Sequence, residues 1–195
     1  DGKEQCFNEP FWVDKTEVTQ SDFERLGGEQ AAPPDFDGAN RPVEDITWFE
    51  ARDFCAARDG RLPTEAEWGY VARGPDELYF PWGNDWNADN AVWNRSSSQG
   101  TADVGSILAG ASWVGALDMS GNVWEWTRSV YEDYPYMASD GREADLGSET
   151  DVLYTLRGGS WDVSINGNLR SATRSRSNPN INWDFLGFRC VLSYE

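Results

Sequence analysis

The chain has no histidine in its 195 residues. That absence excludes Ser-His-Asp and Cys-His nucleophile systems, histidine acid–base catalysis and every histidine-ligated zinc or iron site. Cysteine is nearly as scarce. Cys6, Cys55 and Cys190 are too few for a disulfide scaffold and too scattered for a metal cluster, and leave room for one bridge and one spare thiol. Lysine is confined to Lys3 and Lys15, so almost every cation is an arginine. No apolar run reaches the length of a membrane span, and mean hydropathy is −0.66. With 34 acidic against 16 basic residues the formal net charge is −18, which repels phosphate backbones and anionic bilayers; neither nucleic-acid binding nor membrane insertion is expected. No early segment reads as a targeting signal, and Asp1 in place of a starting Met leads us to expect a processed or trimmed chain.

What the chain has in abundance is tryptophan and glycine, eleven and nineteen residues respectively. Acidic disordered chains lack aromatics, whereas 14% of this one is aromatic. The combination predicts a loop-rich domain pinned by large aromatic plates, with Trp68, Trp82, Trp124, Trp126 and Trp161 as core. Length alone favours one domain, 1–195. No internal repeat is visible.

Phe11–Val13 reads as a short strand. Thr16–Leu26 reads as a helix, with Thr19 or Ser21 as N-cap and Gly27-Gly28 as its stop. A second helix is predicted over Trp48–Arg58, where Thr47 and Glu50 form a capping box and Trp48, Ala51, Phe54 and Cys55 share the inner face. A third runs over Thr64–Arg73, with Thr64 and Glu67 as its box. Residues 74–113 read as ordered loop. Short strands are expected at Val123–Thr127, Leu153–Arg157, Leu169–Arg174 and Gly187–Leu192. Helices early and short strands late make the class α+β.

Five ordered segments then carry a resemblance: Arg61-Leu62-Pro63-Thr64-Glu65-Ala66-Glu67-Trp68, Phe80-Pro81-Trp82-Gly83, Gly121-Asn122-Val123-Trp124-Glu125-Trp126-Thr127, Arg157-Gly158-Gly159-Ser160-Trp161 and Leu186-Gly187-Phe188-Arg189-Cys190. Together they resemble the formylglycine-generating-enzyme (sulfatase-modifying factor) family, a branch of the C-type-lectin fold, from about Phe11 to Val191. The resemblance implies two to three short helices, short antiparallel strands and many ordered loops. A fold of this kind hosts many functions, so function rests on the site.

Formylglycine-generating enzymes use two cysteines that hold copper, shortly after the Gly-Gly-Ser-aromatic motif. Cu(I) is soft and needs thiolates. The matching positions here are Val163 and Asn168, so no copper and no formylglycine-generating activity are expected. The tail also resembles the variable proteins of diversity-generating retroelements, whose lectin-like domain ends in a similar Gly-Phe-Arg segment. In a variable-type region of about 161–189, an apparent framework (Leu169–Ala172, Arg174, Arg176, Asn178-Pro179, Leu186–Arg189) alternates with positions of the kind that adenine-directed diversification reaches. Those positions are Asp162, Val163, Ser164, Ile165, Asn166, Asn168, Thr173, Ser175, Ser177, Asn180, Ile181, Asn182, Asp184 and Phe185. Strand alternation would put Thr173, Ser175 and Ser177 on one face and Arg174 and Arg176 on the other; the arginines, with Arg189, are expected to brace loops through ion pairs.

The resemblance thus implies a non-catalytic, ligand-binding protein, its partner a protein or another surface-exposed molecule. The alternative is an enzyme or accessory domain using an unrecognised site. It further implies a structural calcium held by the Asp118 and Glu125 side chains and the Gly121 and Val123 carbonyls, a donor set suited to a hard cation. The competing reading pairs Glu125 with an arginine in a Trp-rich core. It also implies a Cys55–Cys190 disulfide, with Cys6 left over. Such a bridge points to an oxidising location: cell surface, secreted or virion-associated.

Overall fold

The computed structural model describes residues 5–7 and 9–193; the ends of the expected 1–195 domain lie outside them. Two sheets organise the chain. The first has the order β1 (Phe11–Val13), β7 (Val191–Ser193), β2 (Gly60–Arg61), both neighbours antiparallel to the central β7. The second has the order β5 (Arg174–Ser177), β4 (Tyr154–Arg157), β3 (Trp124–Val130), β6 (Leu186–Gly187), with β6 parallel to β3 and the other pairs antiparallel.

Three helices flank these sheets. α1 (Gln20–Arg25) is capped by Thr19, whose hydroxyl accepts from the Asp22 N–H. α2 (Trp48–Ala57) and α3 (Glu65–Arg73) begin with the two predicted capping boxes, Thr47 with Glu50 and Thr64 with Glu67. Each box satisfies N–H groups that the first helical turn leaves without partners.

Strand alternation divides the four-stranded sheet into two faces. Trp126, Leu156 and Tyr154 point toward α2, where Trp48 stacks on Tyr154 with ring centroids 3.9 Å apart. This is the main core, with Phe23, Phe54, Leu186 and Phe188. Glu125 and Arg157 are directly paired on the opposite face, which meets α3 and Trp68. Trp68, Val71, Ala72, Ala116 and Met119 form a second core there. Trp68, Trp126 and Trp161 are buried plates as expected, whereas Trp82 and Trp124 are half-buried.

Cys55 on α2 is bonded to Cys190, next to β7, with Cα atoms 5.6 Å apart. Cys6 is exposed and free. No helix among the described residues is long and apolar enough to cross a membrane.

Two strand expectations need correction. The stretch predicted as Leu169–Arg174 turns instead: a 3-10 turn occupies Asn166–Leu169 and the strand begins only at Arg174. The Gly187–Leu192 stretch is two strands, β6 and β7, in different sheets. An apolar run bridging two sheets has the same period as a single strand, so the pattern cannot place the break.

Candidate functional site

The variable-type region leaves β4 after Arg157, crosses a Gly158-Gly159 turn in which both residues have positive φ, and enters the 161–169 loop. Glycine is required at this turn: a Cβ on Gly159 would lie 2.6 Å from the Leu169 side chain, and its φ of 76° disfavours side chains. Buried Trp161 and Leu169 anchor the two ends of the loop. The Trp161 indole N–H donates to the Asp184 carbonyl at 3.1 Å, tying this loop to the 180–185 loop. The Asn94 N–H donates to the Val163 carbonyl, and the Ser120 hydroxyl to that of Leu169.

On this frame Asp162, Ser164, Ile165, Asn166, Asn168 and Asn180 are exposed. Ile165 is 64% exposed, although it is a large apolar side chain. Val163, Thr173, Ser175, Ile181, Asn182, Asp184 and Phe185 are half-buried, and Phe185 packs against the main core. Ser177 is buried at 5%. By contrast Trp161, Leu169, Leu186 and Phe188 are all buried, as framework should be. Replacing exposed Ile165 with Ser should cost within about 0.5 kcal/mol, the usual surface value; thermal melting checks it.

The β5 alternation is present, but the serines, which as exchangeable positions are expected on the solvent side, lie on the covered one. Ser175 opposes Leu156 and Ser177 opposes Tyr154, so the serines share the core side. Arg174 opposes Arg157 and Arg176 opposes Thr155, on the α3 side. Period-two spacing separates two faces but does not say which one is covered. Arg174 and Arg189 do form ion pairs, with Glu65 and Glu125 respectively; exposed Arg176 forms none among the described residues.

At the expected calcium positions, the two carboxylates have partners within the protein. Glu125 is 0% exposed, and its two oxygens receive Arg189 Nε and Nη2, each at 2.7 Å, and the Trp68 indole N–H at 2.8 Å. Arg189 also donates to the Leu117 carbonyl. Asp118 accepts from the Gly105 N–H. The two side chains of the expected set are thus engaged by protein donors. The ion-pair reading of Glu125 is the one its geometry fits. Copper finds no thiolate at Val163 or Asn168, the former half-buried and the latter exposed.

Sequence reading missed an acidic zone beside the 180–185 loop. The buried Glu44 carboxylate accepts from the N–H groups of Phe36 at 2.8 Å and Asp35 at 3.1 Å. Burial, reinforced by Asp45, outweighs those donors and pushes its pKa up to about 8. Burial likewise raises Asp184, with Asp35, Asp45 and Asp162 adding to the effect. Outside this zone, burial also raises Glu17 well above its ordinary value, with Asp118 and Glu125 adding to the effect. Between about 4.5 and about 8, native Glu44 therefore holds a proton that the unfolded chain has lost. Its stabilising contribution is complete below the lower value and is lost as pH rises to the upper one. Carboxylates lowered by arginine, such as Glu67 and Asp22, lose their contributions only below this window. The melting temperature should therefore rise from about pH 8 to about pH 5.5, and Glu44→Gln should flatten that slope. A slope of the opposite sign, or one unchanged in the variant, would contradict this account of Glu44.

With this geometry in place, comparison with known proteins assigns the family. The Sulfatase-modifying factor enzyme 1-like domain matches residues 3–194. The chain belongs to this family. Among family relatives, it is 36% identical over 166 residues to the inactive C-alpha-formylglycine-generating enzyme 2 of Bos taurus, covering 77% of this chain and 50% of that protein. It is 32% identical over 172 residues to the formylglycine-generating enzyme of Mus musculus, covering 80% and 45%. The chain thus spans half or less of the length of these curated relatives. Among solved structures, Treponema denticola variable protein 1 superposes with a TM-score of 0.74 at 23% identity, covering 94% of this chain and 84% of that one. The sulfatase-modifying-factor fold, with its α+β mixture, is therefore shared by proteins named as an enzyme, an inactive relative and a variable protein.

Proposed function

We propose that this member of the family is a non-catalytic binding domain that presents exchangeable residues on a rigid lectin-like frame. The carrying observation is the 161–169 loop. The positions expected to hold catalytic cysteines are Val163 and Asn168, and between them Ile165 stands 64% exposed while Trp161 and Leu169 fix the loop ends. A packed core position tolerates few residues, whereas an exposed position on a fixed frame tolerates many. Similarity to a protein named as variable, and to one named as inactive, supports the same reading. The partner would be a protein or another surface-exposed molecule, recognised by adaptable polar groups with a few aromatic anchors; Trp183, 42% exposed and 5.1 Å from the Phe185 ring, is one such anchor. The Cys55–Cys190 bridge supports a secreted, cell-surface or virion-associated location.

The test is exchangeability. A displayed library randomised at Asp162, Ser164, Ile165, Asn166 and Asn168 should fold in most members and yield binders to an arbitrary protein such as lysozyme. In the encoding DNA, a near-copy of the Trp161–Arg189 stretch differing only at adenines, beside a reverse transcriptase, is expected. Loss of folding in most members would sink the proposal, as would oxidation of a peptide cysteine to formylglycine by the purified chain.

A further inference from the structure

β5 is an edge strand, and it carries the guanidinium groups that the alternation turns toward α3. Arg174 donates two bonds to buried Glu65, and its guanidinium centre lies 4.3 Å from the ring centroids of both Tyr131 and Tyr134. Arg157, buried on the neighbouring strand, draws on the same carboxylate at 3.4 Å. Arg176 lies 4.6 Å from the Tyr131 centroid and is exposed. Two guanidinium groups on adjacent strands therefore share the Glu65 carboxylate, and the third, Arg176, has no carboxylate partner among the described residues, in a chain of net charge −18. Glu132 and Asp133 border the tyrosines, yet neither forms an ion pair with Arg174 or Arg176 among the described residues. Stacking on an aromatic face holds a guanidinium in place and leaves its N–H edge free for a carboxylate.

The backbone adds a second observation. Among the described residues, β4 alone makes backbone bonds to Ser175, Arg176 and Ser177, so the outer edge of β5 carries no backbone ladder. A strand added there would place alternate side chains on the arginine face, in step with Arg174 and Arg176.

Resting on the binding role proposed above, we infer that the β5 edge takes an extended acidic peptide segment of the partner protein, with carboxylates on alternate residues. Arg176, the group without a carboxylate of its own, reads the segment by a bidentate contact. Long polyanions are disfavoured, because beyond this strip they meet the acidic surface of the chain.

Four peptides and polymers test this in titrations at low ionic strength: a twelve-residue alternating Glu-Ser peptide, its Gln-Ser counterpart, the Glu-Ser peptide with alternate backbone amides methylated, and a heparin fragment. The Glu-Ser peptide should bind at least tenfold tighter than the other three. Arg176→Gln should weaken it at least fivefold while leaving the melting temperature unchanged, and Arg176→Lys should recover part of the loss. Equal binding of the Glu and Gln peptides, indifference to Arg176→Gln, no effect of methylation, or tighter binding of heparin each overturns the inference. None of those results touches the library experiment on the 161–169 loop, so the two readings fail separately.

Discussion

Glu125→Ala should destabilise the protein by about 3–5 kcal/mol, the usual consequence of stranding a buried charge. Arg189 is 0% exposed and would keep its carbonyl partners but lose both bonds to the carboxylate, and Trp68 would lose its acceptor. The cost arises from the unpaired guanidinium more than from the lost pair. Glu125→Leu combined with Arg189→Met should accordingly recover much of the stability, since a packed apolar pair avoids the desolvation penalty. Denaturant unfolding of the three proteins, each with and without a chelator, separates this role from metal binding. A wild-type midpoint that falls on chelation, with no response in Glu125→Ala, would make Glu125 a calcium ligand and refute the ion-pair account.

Loss of the Cys55–Cys190 bridge should be of similar size. The bonded residues are 135 positions apart, and a cross-link over a loop of that length stabilises by about 4–5 kcal/mol in the chain-entropy model. For a domain of this size that corresponds to a fall in melting temperature of roughly 10–15 °C. The bridge joins α2 to the approach of β7, so its removal also loosens the attachment of the first sheet to the main core. Cys55→Ala with Cys190→Ala, melted beside the oxidised protein, measures the effect. Peptide mapping without reductant should join Cys55 to Cys190, while Cys6, exposed in the native state, takes up an alkylating reagent. A bridge through Cys6 instead would refute the pairing.

The helices were legible in the sequence because their signals are local. Thr47 with Glu50 and Thr64 with Glu67 mark α2 and α3 to within a residue, whereas α1 is shorter than the expected Thr16–Leu26 and starts at Gln20, after the Thr19 cap. The strand Phe11–Val13 was legible for the same reason, a short apolar run between breakers. The cysteine partners came through family resemblance, since three cysteines alone leave the pairing open. What the chain conceals is set by contacts distant in sequence. Whether serine or arginine faces the core on β5 depends on β4 and α3, which the β5 residues do not encode. Glu125 reads equally well as a cation ligand or an arginine partner until Arg189, 64 residues away, is brought to it. The acidic zone around Glu44 depends on a turn at Asp35-Phe36 that carries no distinctive pattern.

The position of β7 has a consequence for how the molecule assembles. It is the middle strand of the first sheet, and both outer strands bond to it rather than to each other. Phe11 finds its partner only in Ser193, and Gly60 only in Leu192. During synthesis, therefore, β1 and β2 wait without a ladder until nearly the last residues described here have been made. Contacts of such separation close slowly, and the 161–169 and 180–185 loops are translated during the wait. A substitution in those loops therefore acts on a chain that is still open, where exposed apolar surface favours aggregation.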